Sequence, residues 1–240
     1  MVNIEERLLA IQQRIERCAS ACQRDTADIR LLAVSKTRPV SEIKRALACG
    51  QRHFGENYLQ EAQAKIAALS GEPICWHYIG PIQTNKTRPI ANSFDWVHSV
   101  DRLKVARRLS EQRNPGKPPL NICLQVNIGA EPSKAGLATA DLVTVAKEVA
   151  SLKQLRLRGL MAIPRATADE QEQRQQFRQL RYLLNDLQRQ LPELDTLSMG
   201  MSNDLEAAIK EGATWVRIGT AIFGPRPAKP GSVTKSSSPA

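Results

Sequence analysis

The sequence lacks long hydrophobic runs, and no apolar stretch reaches the roughly 18 to 20 residues that a membrane-spanning helix needs. Its first residues mix Arg and Glu with apolar side chains, whereas a secretory signal peptide has an uninterrupted apolar core. We therefore expect a soluble, cytoplasmic protein that does not bind membranes. The 240 residues, 42% hydrophobic and 24% charged, have a globular composition and fit one large domain or two small ones.

Cysteine is also scarce. The five cysteines are an odd number without CxxC spacing, which argues against a disulfide framework and against a zinc site. We expect them to be buried as small hydrophobic side chains. Cys18 and Cys22, four residues apart on one helix face, could supply half of a metal site, but no histidine stands at ligand spacing beside them. No metal site is predicted.

Aromatic residues make up only 4% of the chain. The net charge of +10 would suit binding to nucleic-acid phosphates. However, the sequence has no short motif of aromatic and basic residues for stacking on bases. The most basic stretch, over residues 165–181, is interrupted by acidic residues, as is typical of an exposed helix face. A solvated surface is favoured over nucleic-acid binding.

Short apolar strands alternate with helical patterns along the chain. After an amphipathic helix over 2–23, the eight predicted strands cover residues 29–35, 52–54, 74–79, 96–99, 120–128, 155–163, 196–199 and 215–219. This alternation implies parallel pairing, and eight strands in about 220 residues match a closed (β/α)8 barrel of the TIM type. A doubly wound open sheet is the alternative, but the GxGxxG fingerprint of dinucleotide binding is absent.

The predicted helices between the strands cover 41–49, 139–152, 169–189 and 204–211, with others beginning at 58, after 84 and at 101. Ser202 or Asn203 could cap the helix over 204–211. No clear helix follows the last strand, so the opening helix could complete the outer ring. We predict a single domain over 1–224. Residues 225–240, rich in proline, serine and lysine, are predicted to be a disordered tail.

In a parallel barrel the ligand-binding face lies at the carboxyl ends of the strands. The first predicted strand delivers Lys36 to this face, and Arg38 follows two residues later. A lysine that is partly desolvated or beside another cation has a lowered pKa and can act as an amine nucleophile, so Lys36 could form a Schiff base. It could equally pair with a carboxylate or a phosphate, and its position alone does not decide between these roles.

The last two strand ends favour a phosphorylated ligand. The segment over 200–203 opens a helix and Gly219-Thr220 follows a strand, so backbone N–H groups and the hydroxyls of Ser202 and Thr220 meet where such barrels often hold phosphate. Ordinary turn and cap chemistry would explain either segment alone. The occurrence of both at neighbouring strands favours phosphate binding.

Arg217 should point into the barrel, because it shares one face of the eighth strand with Trp215 and Gly219. A buried arginine needs a partner, since an unpaired buried charge is very costly. A ring nitrogen of a ligand would serve, and so would an acidic side chain such as Glu56.

Six motifs, in order and with compatible spacing, resemble the YggS/PROSC family of pyridoxal 5′-phosphate homeostasis proteins. They are LLAVSKTRP (31–39), HFGENYLQE (53–61), WHYIGPIQTNK (76–86), GLMAIP (159–164), LSMGMSND (197–204) and VRIGTAIFG (216–224). The resemblance covers about residues 1–224 and leaves out the tail. Tyr78 stands where the family more often has Phe or Met.

The resemblance implies a monomeric barrel similar to the amino-terminal domain of alanine racemase, a fold type III protein that holds pyridoxal 5′-phosphate (PLP) as a Schiff base on Lys36. It also implies a role in vitamin B6 homeostasis, and indirectly in amino-acid and keto-acid balance, by buffering PLP or delivering it to PLP-dependent apoenzymes without catalytic turnover. Carried over position by position, the cofactor-binding residues are Lys36, Asn57 near the pyridine ring, Arg217 facing the ring nitrogen, Ser202, Gly219 and Thr220 on the phosphate, and Met161 and His77 lining the site.

Two other classes of function stay open. A PLP-dependent racemase or lyase would need a second catalytic base, and the sequence places none of the tyrosines Tyr58, Tyr78 and Tyr182 on the far face of the cofactor. An arginine opposite the pyridine nitrogen also leaves the ring a weaker electron sink, because a guanidinium does not give up its proton. A regulator that binds nucleic acid or protein would depend on the basic surface. The sequence favours a PLP carrier over both.

Overall fold

Eight strands of the chain pair side by side until the last one meets the first. The computed structural model describes residues 3–129, 131 and 135–225. Every strand pair is parallel and follows chain order, so the sheet is a closed barrel. The strands are β1 (Arg30–Val34), β2 (His53–Glu56), β3 (Cys75–Tyr78), β4 (Trp96–Val100), β5 (Leu120–Gln125), β6 (Leu155–Met161), β7 (Thr196–Ser198) and β8 (Trp215–Ile218). The predicted (β/α)8 barrel is confirmed.

Helices alternate with these strands on the outside of the barrel. They are α1 (Ile4–Ala21), α2 (Val40–Ala48), α3 (Leu59–Ala68), α4 (Thr87–Ser93), α5 (Leu103–Gln112), α6 (Leu142–Ala150), α7 (Glu170–Gln188), α8 (Leu205–Lys210) and α9 (Thr220–Phe223). Single 3₁₀ turns lie at Thr26–Asp28, Thr84–Lys86 and Thr139–Asp141. The four-residue helix α9 was missed by the sequence analysis, because one turn is too short to show a helical period.

The opening helix α1 completes the outer ring, as predicted. It packs against α8 and α9 on one side and α2 on the other. Its buried face carries the apolar residues that the sequence pattern identified, Ile4, Leu8, Ile11 and Ile15. On the exposed side, the Arg14 guanidinium donates to both carboxylate oxygens of Glu206 on α8, at 2.9 Å each.

The loop before α8 differs from the prediction. Asp204, rather than Ser202 or Asn203, is the residue that precedes the helix. Gly200 turns the chain at a φ of +92°, in the left-handed region, and the Asp204 carboxylate then accepts a hydrogen bond from the Met201 N–H at 2.5 Å. This turn leaves Ser202 and Asn203 outside the helix.

The apolar core has two parts. The larger part fills the space between the sheet and the helices, and Val216 and Ile218 of β8 belong to it. The smaller part lies inside the barrel lumen and consists of Leu32, Trp96, Cys123, Met161 and Trp215. Trp215 and Arg217 therefore face inward, as the alternation along β8 predicted.

Three further predictions concerned the cysteines, membrane-spanning helices and the tail. All five cysteines are free, but only Cys18 and Cys123 are buried and Cys49 is exposed. Within the described part of the chain, no helix has both the length and the apolar character needed to cross a membrane. The predicted tail over 225–240 lies, apart from Pro225, outside the described residues.

Candidate functional site

The carboxyl ends of β1, β2, β3, β7 and β8 form one continuous rim. The Ser35 N–H after β1 donates to Gly55 O at 3.0 Å, and Gly80 after β3 packs directly against the backbone of Asn57. On the other side, the Arg217 N–H donates to Gly200 O at 2.9 Å, and Gly219 contacts Val34. The rim therefore carries the predicted residues Lys36, Asn57, Ser202, Gly219 and Thr220.

Lys36 is half-buried and is followed by a strained residue. Thr37 has a φ of +63°, which is unusual for a β-branched side chain and costs about 1 to 3 kcal/mol. Its N–H donates to the Glu61 carboxylate at 2.6 Å, and this bond holds the turn. Arg38 turns away to donate to Gly224 O at 2.5 Å and Pro225 O at 2.8 Å. These contacts weaken the case for Arg38 as the cation that activates Lys36.

A buried ion pair lies directly behind Lys36. Lys65 Nζ, on α3, donates to Glu56 Oε1 at 2.7 Å, Ser35 O at 2.8 Å and Glu61 Oε1 at 2.5 Å. Ser35 Oγ also donates to Glu56 Oε1, at 2.6 Å. Burial raises the pKa of Glu56, while Lys65 and Ser35 act to lower it. This cluster fixes the ends of β1 and β2 to one helix.

Glu56 was one of the predicted partners of Arg217, and this prediction was wrong. Glu56 instead binds Lys65, which sequence reasoning missed. A signal was present, because Lys65 follows the buried Leu59 and Ala62 at helical spacing and so stands on the inner face of α3.

Arg217 lies in the lumen with 5% of its surface exposed. Its Nη1 donates to Ser198 Oγ and its Nη2 to Ala162 O, both at 2.9 Å. Burial lowers the pKa of Arg217 to about 10, so the side chain remains a cation near neutral pH. The guanidinium is therefore a buried positive charge, and its two hydrogen-bond acceptors, the Ser198 hydroxyl and the Ala162 carbonyl oxygen, are uncharged.

A chain of three histidines continues from Ser198 through the lumen. His98 Nδ1 lies 2.7 Å from Ser198 Oγ, His77 Nδ1 lies 2.9 Å from His98 Nε2, and His53 Nδ1 lies 3.1 Å from His77 Nε2. Burial, with the charge of Arg217, lowers the pKa of His98 to about 3. Burial also lowers the pKa of His53 and, far more strongly, that of His77. All three rings are neutral near pH 7.

The contacts of Ser198 indicate which nitrogens carry the protons. Arg217 can only donate, so Ser198 Oγ accepts from it and can direct its own hydrogen to His98 Nδ1. His98 Nε2 then donates to His77 Nδ1, and His77 Nε2 donates to His53 Nδ1. We assign the tautomers on this basis. His77 was predicted from the sequence as a site residue, but His98 and Ser198 were not. Ser198 lies 100 residues after His98 in the chain, so no local pattern connects them.

The other predicted residues differ in exposure. Met161 is fully buried in the lumen and pairs with Ser198 across β6 and β7. Asn57 Oδ1 is buried and has no hydrogen-bond partner among the described residues. Ser202 and Gly219 are half-buried and Thr220 is exposed. The rim therefore combines the unpartnered Asn57 Oδ1 with Lys36 and the hydroxyls of Ser202 and Thr220. This set of groups fits a small polar ligand such as PLP.

Comparisons with known proteins show the family of the chain. Residues 7–227 match the family described as alanine racemase, N-terminal domain. The pyridoxal phosphate homeostasis protein of Pseudomonas aeruginosa is 60% identical over 226 residues, which are 94% of this chain and 97% of that protein.

Two solved structures are also similar. PipY of Synechococcus elongatus PCC7942 with PLP bound is 40% identical and has a TM-score of 0.81, with coverage of 92% of this chain and 100% of that one. Alanine racemase from Corynebacterium glutamicum, at 16% identity and a TM-score of 0.70, shares the fold over 95% of this chain and 61% of its own. The chain belongs to the family of pyridoxal phosphate homeostasis proteins, built on the alanine racemase N-terminal domain.

Proposed function

We propose that this protein binds PLP at the rim described above, as a Schiff base on Lys36, and buffers or delivers the cofactor. The observation that carries the proposal is Arg217, a buried cation held by Ser198 and Ala162 O at the end of the lumen that opens towards Lys36. Such a cation is suited to an electron-rich ring nitrogen. PLP, when bound, supplies an aldehyde that condenses with amines and a ring that withdraws electrons.

The rim residues take separate roles in this proposal. Ser202, Gly219 and Thr220 bind the phosphate through hydroxyl and N–H groups, and Asn57 approaches the pyridine ring with its orphan Oδ1. Met161 lines the pocket from the lumen side. The role of His77 in lining the site stays a prediction, and its contact with Arg217 runs through His98 and Ser198.

The protein is proposed to be a carrier without catalytic turnover. Carbanion chemistry on a bound amino acid needs both an electron-withdrawing ring and a base within hydrogen-bond reach. Arg217 keeps its protons near neutral pH, so it does not protonate the ring nitrogen. Tyr58 and Tyr182 are exposed, with 52% and 55% of their surfaces accessible. The Tyr78 hydroxyl donates to Pro81 O at 3.2 Å, and its ring packs on Phe94 outside the lumen. A PLP-dependent racemase or lyase is the alternative.

In the cell, a carrier of this kind acts in vitamin B6 homeostasis and so influences amino-acid and keto-acid balance. We propose a cytoplasmic monomer of one domain over 1–224 that passes PLP to apoenzymes. The name and the 60% identity of the Pseudomonas aeruginosa relative support the role in homeostasis.

Borohydride trapping tests the covalent attachment. The wild-type protein, treated with borohydride in the presence of PLP, is expected to yield one pyridoxyl-labelled peptide, containing Lys36. Lys36→Ala should yield no labelled peptide and should lose the yellow colour of the complex, whereas the control Lys44→Ala, at an exposed lysine of α2, should behave as wild type. Retention of the label in Lys36→Ala would overturn the assignment.

A further inference from the structure

A second cluster of chemically active side chains lies at the opposite, amino-terminal end of the barrel. His53 and Cys75 are the first residues of β2 and β3 and pair with each other across the two strands. His77 follows two residues after Cys75 and shares its inward face. One ligand atom from each of the three side chains lies within 4.8 Å of the other two.

The spacing of the two ring nitrogens suits a tetrahedral cation. His53 Nδ1 and His77 Nε2 are 3.1 Å apart. Zinc binds imidazole nitrogen at about 2.0 to 2.1 Å, so two such ligands in a tetrahedron stand about 3.3 Å apart. These two rings need to separate by only a few tenths of an ångström. Cys75 Sγ lies within 4.8 Å of both nitrogens and must approach to about 3.5 Å, the separation that a Zn–S bond of about 2.3 Å requires in a tetrahedron.

The donor set selects the kind of cation. Two imidazoles and one thiolate suit Zn²⁺ and other thiophilic ions, whereas Mg²⁺ and Ca²⁺ prefer oxygen ligands. His53 and Cys75 are partly exposed, so an ion can reach them from the amino-terminal mouth.

Charges of both signs face this cluster. Asp95, which precedes β4 and accepts from the Trp76 N–H at 2.9 Å, acts on both Cys75 and His53 with its negative charge. Arg30 of β1 lies over the Trp215 ring at 5.5 Å and opposes a cation. Binding of Zn²⁺ breaks the Cys75 S–H bond, forms an S–Zn bond and releases one proton to solvent. The Cys75 thiolate is then a second negative charge near the ion, in addition to Asp95.

We propose that His53, Cys75 and His77 form a Zn²⁺ site with one open coordination position at the amino-terminal end of the barrel. The cysteine spacing predicted no zinc site, because CxxC spacing detects only ligands that lie close together in the sequence. Here the pairing of β2 with β3 brings His53 beside Cys75.

The site is linked to the opposite rim by the histidine chain. Zinc on His77 Nε2 moves the proton of that ring to Nδ1, which then donates to His98 Nε2. His98 in turn carries its proton on Nδ1 and donates to Ser198 Oγ. Each histidine keeps one proton. The hydrogen bonds between His77, His98 and Ser198 reverse, whereas Arg217 still donates to Ser198 Oγ, whose own hydrogen then turns away from His98.

Titration with Co²⁺, a spectroscopic substitute for Zn²⁺, tests the proposal on the tag-free full chain. We expect one equivalent to bind, with tetrahedral cobalt bands in the visible region and a thiolate-to-cobalt charge-transfer band in the difference spectrum, and we expect Zn²⁺ to displace it. Cys75→Ser should abolish the charge-transfer band and weaken binding by at least about 100-fold, since loss of an outer-shell partner alone costs about 10- to 100-fold.

Two further variants make the result decisive. Cys49→Ser, which removes an exposed thiol outside the barrel, should keep the full cobalt spectrum. His53→Gln should keep the fold, as measured by circular dichroism, but weaken cobalt binding by more than about tenfold. The proposal is overturned if the wild type shows no thiolate-to-cobalt band, or if Cys75→Ser retains it.

Discussion

Replacement of Lys65 by Met tests the buried ion pair behind Lys36. The change removes three hydrogen bonds, those to Glu56, Glu61 and Ser35 O, and keeps a side chain of similar length. Glu56 is fully buried, so the variant leaves its carboxylate with Ser35 Oγ as its remaining hydrogen-bond donor among the described residues. Breaking a buried pair from one side costs about 3 to 5 kcal/mol, and we expect a loss of that size near neutral pH.

The pH dependence identifies Glu56 as the origin of the loss. Its pKa is raised by burial in the folded protein, and Lys65 limits that rise. A carboxyl group with a raised folded pKa favours folding most at low pH, and this contribution is lost as pH rises from the ordinary glutamate value through the raised one. Without Lys65 the pKa rises further, so the deficit of Lys65→Met should shrink as the pH is lowered towards the ordinary glutamate value.

Urea denaturation followed by tryptophan fluorescence measures these free energies. Lys65→Met combined with Glu56→Gln removes the unpaired charge and should recover much of the lost stability. Lys44→Met, at an exposed lysine, is the matched control and should unfold like the wild type. A deficit that does not change with pH, or a double variant as unstable as the single one, would refute the reasoning.

Three other predictions concern the rim. Ser202→Ala and Thr220→Ala should each weaken PLP binding by about 1 to 3 kcal/mol in equilibrium dialysis without changing the urea midpoint, and unchanged affinity in the double variant would contradict the phosphate site. Gly200→Ala should destabilise the fold by about 1 to 3 kcal/mol, because φ is +92° and the new Cβ would stand 2.5 Å from Ala208 Cβ, and an unchanged midpoint in urea would contradict this. In deuterated water, L-alanine should exchange its α-proton slowly without accumulating D-alanine, and accumulation at about 1 per second or faster would identify a racemase.

The sequence was sufficient to predict the barrel because its signals are local. Apolar runs alternating with helical periods located all eight strands, and the apolar spacing of α1 predicted its packing in the ring. The predicted ends of the strands were less accurate. The strand predicted over 120–128 ends at Gln125, since Val126 forms only an isolated bridge to Leu137 and the chain then leaves the sheet.

Contacts between distant segments were harder to predict. Alternation along β8 placed Arg217 inside the barrel, but its partner Ser198 depends on how β7 and β8 are staggered, which no local pattern reports. The pairing of Glu56 with Lys65 likewise depends on how α3 lies over β2. The histidine chain joins three strands and has no signature in the linear sequence.

Closure of the barrel joins the beginning of the chain to its end, and this sets a problem for folding during synthesis. Arg30 of β1 pairs with Trp215 of β8, roughly 185 residues later. At about 5 to 20 residues per second, the ribosome needs about 10 to 40 s to make the intervening chain. Throughout that interval β1 has at least one unpaired edge, and for most of it α1 lacks α8 and α9, two of the helices against which it packs. A nascent chain with an open edge and an uncovered apolar helix is prone to aggregate. The last strand closes the edge of β1, and α9, which follows it, completes the cover of α1.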